Sequence, residues 1–150
     1  MAQALRIPNF FGLKRSRQDQ ESNRRQWSGV RSLQSPAWLK EIYDRLSDLK
    51  KLDHNWDTFG AVSVSDEAIS RVRVLLSTLN VEDFPTPHVA PLPDGGIGLH
   101  WRVGTRDLEI EADPSGAVHY LHTVVGSEPV FGDANTWAEA QDALDWVLGR

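Results

Sequence analysis

Two groups of residues in this chain have side chains that can do chemistry. The first is His100, Glu109, Glu111 and His119, with Arg102 beside them. Two imidazoles and two carboxylates can hold zinc or another transition metal, or run general acid–base hydrolysis. The second is the stretch DHNWDTFGAVSV, residues 53–64. Asp53, Asn55 and Asp57 can cap backbone groups or form Asx turns, and Gly60 can take positive φ. His54 and Asp57 complete no known catalytic constellation. A calcium loop starting at Asp53 would need a bidentate glutamate at position 64, which is valine. Two readings of the large apolar pair in this loop stand side by side. Trp56 and Phe59 either plug the end of the core or form a surface for a partner.

The elements that position these groups follow from periodicity. SPAWLKEIYDRLSDLKKL predicts a helix with Ser35 as cap, Pro36 at the first position, and a stripe of Leu39, Ile42, Leu46 and Leu49. SDEAISRVRVLLSTLN predicts a second, capped by Ser65, with Ile69, Val72, Leu76 and Leu79 inward and Arg71 and Arg73 outward. Strands follow. Ile97, Leu99, Trp101 and Val103 alternate with polar or small residues, as do Leu108, Ile110 and Ala112. Gly104–Thr105 suits a two-residue type II′ hairpin that sets residue 103 opposite 106. The DPSG turn then sets 113 opposite 117. This register pairs His100 with Glu109 and Arg102 with Asp107, and brings His119 to the face of Glu109 and Glu111. Leu121 falls on that same face. Four prolines at 85, 87, 91 and 93 predict an extended lead-in at a sheet edge. Residues 124–132 offer one more short strand through Val130 and Phe131. A last helix over 136–148, capped by Asp133 or Asn135, turns Trp137, Ala140, Leu144 and Val147 inward and stops at Gly149.

The expected architecture is therefore α+β. A helix pair precedes a small antiparallel sheet of three to four strands, and a C-terminal helix helps cover one sheet face. The 150 residues suit a single domain, here 35–150, behind a basic, flexible arm over 1–34. The arm holds seven basic residues against two acids, net +5, whereas 35–150 is net −10. With no cysteine, thiolate catalysis and cysteine-based metal sites are excluded. No apolar run is long enough for a membrane span, and the N-terminus lacks a secretory pattern, so the cytoplasm is expected. No phosphate loop, nucleophile elbow or metalloprotease motif is present, and no cofactor is expected.

The loop and the hairpin together bear a resemblance. LKKLDHNWDTFGAVSVS, residues 49–65, resembles the NWDGYGA-like loop of a family of small uncharacterised bacterial and phage-borne proteins. PHVAPLPDGGIGLHWRVGTRDLEIEADPSG, residues 87–116, resembles their DGG…LEW hairpin. Asn55, Trp56, Asp57, Gly60 and Ala61 match the first motif. Asp94, Gly95, Gly96, Leu99 and Trp101 match the second. Thr58 stands where glycine is usual, Phe59 where tyrosine is usual, and His100 where glutamate is usual. The family has no assigned chemistry, so the resemblance implies no catalytic role.

These features favour a non-enzymatic protein-binding module: an adaptor, an inhibitor or an antitoxin-like regulator. Its contacts would come from Phe10, Phe11, Lys14, Arg15, Arg17, Arg24, Arg25 and Trp27 of the arm and from Trp56, Asp57 and Phe59 of the loop. The alternatives are a metal-dependent hydrolase built on His100, Glu109, Glu111 and His119, and nucleic-acid binding through the arm.

Overall fold

The computed structural model describes residues 35–79 and 84–150. Helix α1 spans Ala37–Leu49 and α2 spans Asp66–Thr78. Five strands follow: β1 His88–Pro91, β2 Ile97–Val103, β3 Arg106–Ala112, β4 Val118–Val124 and β5 Val130–Asp133. Helix α3, Trp137–Leu148, ends the chain. The strands form one antiparallel meander in the order β1-β2-β3-β4-β5.

The sheet has five strands, not three to four. The proline-rich lead-in is β1, and it pairs with β2 from His88↔His100 to Pro91↔Ile97. Proline is tolerated there because β1 is an edge strand, with no strand on its outer side among the described residues to need the missing N–H. The β2–β3 and β3–β4 registers are those the turns require: Val103↔Arg106 closes the first hairpin, and Ala112↔Val118 flanks the second turn. Gly104 alone carries positive φ in the Gly104–Thr105 loop, as a type II′ turn demands.

One sheet face is apolar. Val89, Ile97, Leu99, Trp101, Leu108, Ile110, Ala112 and Val118 are buried on it. Helix α3 lies across β2, β3 and β4, α2 packs on β2 and β3, and α1 reaches β1. The whole predicted stripe of α1 is buried, and so is that of α2. Trp101, fully buried, donates its indole N–H to the Pro85 carbonyl at 3.0 Å, which satisfies the one polar atom it takes out of water.

Four local expectations are corrected. Pro36, not Ser35, is the N-cap of α1, and no side chain caps that end. Thr136, not Asp133 or Asn135, caps α3 through a reciprocal capping box with Glu139. The rejected candidates have other partners: Asn135 Oδ1 accepts the Val118 N–H at 2.8 Å, and Asp133 Oδ1 lies 2.9 Å from His119 Nδ1. Trp137 is exposed rather than inward, with its indole N–H on the Thr78 carbonyl at 3.0 Å. Arg71 is half-buried rather than outward, and its guanidinium donates to the Asn135 carbonyl at 2.7 Å.

His122 lies between sheet and helix, its ring stacked 3.9 Å from that of Trp146. Burial pushes the His122 imidazole below its ordinary value, and the nearby Arg106 charge acts in the same direction. A histidine held low in the fold takes its proton first in the unfolded chain, so stability falls as pH drops below the unfolded value of about 6.5. His122→Phe keeps a stacking ring that does not titrate. Denaturation between pH 7 and 5 is expected to give that variant a shallower loss of stability than the native chain.

Candidate functional site

The 53–61 loop is built from its own side chains. Asp57 Oδ1 accepts the N–H of Phe59 at 2.8 Å and of Ala61 at 3.0 Å. Asn55 Oδ1 accepts the Gly60 N–H at 2.7 Å, and the Asn55 N–H closes the loop on the Ala61 carbonyl at 2.7 Å. The Thr58 N–H donates to the Asn55 carbonyl at 3.0 Å. The Trp56 indole, half-buried, donates to the Val62 carbonyl at 3.1 Å.

Two residues other than glycine hold positive φ here: Asn55 at 65° and Thr58 at 68°. Asparagine enters the left-handed region at little cost, whereas β-branched threonine does not. The loop is therefore strained at Thr58, and the hydrogen bonds around it hold the strain in place. What this conformation holds outward is Phe59, which is 91% exposed. The reading in which both aromatic residues plug the core fails for Phe59. Trp56 turns back against its own loop, and Asp57 is engaged by the backbone.

The loop's trailing segment is fastened to the sheet. Val62 N–H donates to the Pro93 carbonyl at 2.8 Å, and Ser65 N–H to the Gly95 carbonyl at 2.9 Å. Ser65 Oγ donates to the Pro114 carbonyl at 2.8 Å while accepting the Ala68 N–H at 3.0 Å, so one hydroxyl caps α2 and ties it to the β3–β4 turn. The turn needs glycine at 95 for this contact: Gly95 has φ +96°, and a Cβ there would sit 2.9 Å from the Ser63 carbonyl oxygen. Gly96 answers to the sheet itself, since a Cβ there would sit 2.6 Å from the Ala112 carbonyl oxygen. Sequence reasoning found the loop and the DGG turn separately and missed that they are one assembly.

The second group of candidates reaches one sheet face as expected but does not converge. Glu109 stands opposite His100, and Glu111 opposite His119. Yet His100 Nε2 lies 2.8 Å from Asp107 Oδ1, the diagonal neighbour, which also accepts from Arg102 Nε at 2.7 Å. The expected His100–Glu109 pair is thus replaced: the Asp107 carboxylate already faces Arg102, and twist brings diagonal residues within reach. Arg102, and after it His100, hold the Asp107 carboxyl below its ordinary value. His119 Nδ1 turns to Asp133 on β5, with Asp113 Oδ2 at 3.7 Å from its Nε2. Among the described residues no three histidine or carboxylate side chains are placed to hold a metal ion. A hollow of about 250 Å³ lies over Ala90 and Gly98, rimmed by Leu92, His88, His100, Glu109 and Glu111.

Phe10, Phe11, Lys14, Arg15, Arg17, Arg24, Arg25 and Trp27 lie outside the described residues. No helix among the described residues is long and apolar enough to cross a membrane. The fold and its loop define a small α+β domain with a five-stranded antiparallel meander and a rigid aromatic projection. Comparison with protein-family models, with curated proteins and with solved structures yields no match.

Two outcomes follow from the loop's geometry. Thr58→Gly removes the strained φ and is expected to stabilise the fold by about 1 kcal/mol in chemical denaturation, since the relieved strain exceeds the entropy glycine adds to the unfolded chain. The N–H groups of Ala61 and Phe59 hold the Asp57 carboxyl below its ordinary value. An acid held low stabilises the fold above its unfolded value near 4 and loses that effect as pH falls through the folded one. The amide resonances of Phe59 and Ala61 are expected to shift together in that acid window, and to show no such step in Asp57→Asn.

Proposed function

We propose that this protein is a non-enzymatic binding module that docks on a partner protein through Phe59. The observation that carries the reading is a strained loop, held by its own Asn55 and Asp57 side chains, that keeps a phenylalanine in water. An exposed aromatic side chain on a pre-ordered backbone loses little entropy on binding and is the kind of anchor that dominates interface energies. Trp56 and Asp57 serve this reading as supports: one packs under the loop, and the other fixes the backbone on either side of the anchor. In this reading the arm residues Phe10, Phe11, Lys14, Arg15, Arg17, Arg24, Arg25 and Trp27 add a second contact of positive charge, suited to an acidic patch on the same partner. An adaptor, an inhibitor and an antitoxin-like regulator all fit such a module.

The test compares the full chain with its Phe59→Ala variant as bait in host lysate. The variant is expected to melt at the same temperature, because the ring packs on nothing it would leave empty. A partner held by the native chain and reduced at least tenfold by Phe59→Ala carries the proposal. The same proteins captured in equal amounts by both baits would remove Phe59 from any binding role. Replacing Arg24 and Arg25 by glutamate in the full chain measures the arm's share in the same assay.

A further inference from the structure

The outer edge of β5 is built differently from the edge at β1. Ala134 N–H donates to the Val118 carbonyl at 2.9 Å. Hydrogen bonding alternates along an antiparallel strand, so in the register Tyr120↔Gly132 and His122↔Val130 it is Gly132 and Val130 that face β4. Phe131 and Asp133 therefore point their backbone N–H and C=O groups away from the sheet. Edge strands usually block such groups with proline or lysine. β1 contains Pro91 and is flanked by Pro85, Pro87 and Pro93; β5 has Pro129 just before it but none within Val130–Asp133. From residue 107 to residue 149 the sequence has no lysine or arginine and nine acids. Phe131 is 78% exposed and Val130 56%.

We propose that the β5 edge accepts an extended segment of a partner protein as a sixth strand, with basic residues alternating with apolar ones. Main-chain hydrogen bonds to Phe131 and Asp133 supply the pairing, as in other strand-addition complexes. Charge selects the occupant. Glu128 and Asp133 flank the edge, and residues 35–150 carry a net −10, so a second copy would meet its own sign whereas a lysine- or arginine-bearing strand meets the opposite one. Alternation puts the apolar residues of the incoming strand on one face, where they meet Val130 and the Tyr120 ring, which lies so close over Gly132 that a Cβ there would touch it at 2.9 Å. Its basic residues then lie on the face of Asp133, beside Phe131. This surface is main chain of β5 and does not depend on Phe59.

The probe is a fluorescent eight-residue peptide of alternating lysine and valine, titrated into the full chain and followed by anisotropy. Two control peptides accompany it: one with glutamate for lysine, and one with the outward-facing amides N-methylated. Phe131→Pro removes the ring together with an N–H that β4 does not use, and Phe131→Thr removes the ring but keeps that N–H. Saturable binding is expected, weakened at least tenfold by N-methylation and by Phe131→Pro, within threefold of native for Phe59→Ala, and with Phe131→Thr between the two. Thermal melting shows whether Phe131→Pro is folded; if it is not, the N-methylated peptide decides alone. Equal binding of the N-methylated or glutamate peptide overturns the proposal. So does no binding at all, or a Phe131-dependent dimer in sedimentation, which would make the edge an interface between copies.

Discussion

The contact between the 62–65 segment and the Asp94–Gly96 turn is the constraint on which the rest of the molecule depends. It sets the Ser63 carbonyl oxygen so close to Gly95 that no side chain fits there, while the neighbouring strand β3 does the same to Gly96 through the Ala112 carbonyl. In return, α2 starts at a fixed point, because the Ser65 hydroxyl that caps it also holds the Pro114 carbonyl. A helix fixed at its first residue to two sheet turns has little freedom in how its apolar stripe meets β2 and β3. The 53–61 loop is then closed at its far end by the end of α1 and at its near end by the sheet. Short loops closed at both ends retain strain that a free loop would relax. That is how Thr58 keeps a backbone conformation its own side chain disfavours.

The molecule separates its work by face. The helix-covered side of the sheet carries nearly all of the buried apolar area, and among the described residues no charged or polar residue is counted as buried. Of the polar atoms that enter the interior, the indole N–H groups of Trp38 and Trp101 are satisfied by loop carbonyls, and the more exposed indoles of Trp56 and Trp137 likewise donate to a loop or helix-end carbonyl. These bonds fasten irregular segments to regular ones, at no cost in buried unpaired groups. The opposite face is left to charge, and that charge is paired locally across strands, directly in Arg102–Asp107 and His119–Asp133 and diagonally in His100–Asp107, instead of being directed at one point.

Much of this was legible in the sequence, for identifiable reasons. Period-two alternation and the Gly104–Thr105 turn determine register jointly, because a slip of one residue would expose Leu99, Trp101, Leu108 and Ile110 together. The helix stripes were legible because each buries the same residues its spacing selects. The failures share a different cause. Asp133, Asn135 and Thr136 are all competent caps, and only the sheet decides which are already engaged. The prolines placed the lead-in at a sheet edge, but whether it pairs as a strand there depends on the β2 edge beside it, so β1 was left out of the strand count. For Phe59 the sequence offered both burial and a surface role, and could not choose between them, because its direction depends on the loop's hydrogen bonds and two unusual φ values that follow from no local propensity.

The same geometry bears on the proposal that the loop, rather than the histidine-bearing face, meets a partner. Side chains on one face of a sheet stand about 4.8 Å apart between strands and about 7 Å apart along them, all pointing in parallel. Parallel vectors do not converge on a small ligand unless the sheet is sharply bent or a loop folds over it. Here His100 and His119 instead turn sideways to Asp107 and Asp133, which satisfies each imidazole locally and leaves Glu109 and Glu111 opposite groups that have turned away. A loop closed by hydrogen bonds has the opposite property: its backbone curls inward on its own polar groups, so whatever is left points out. In this chain the residue left pointing out is Phe59. Its large apolar surface gains most from being covered by another protein.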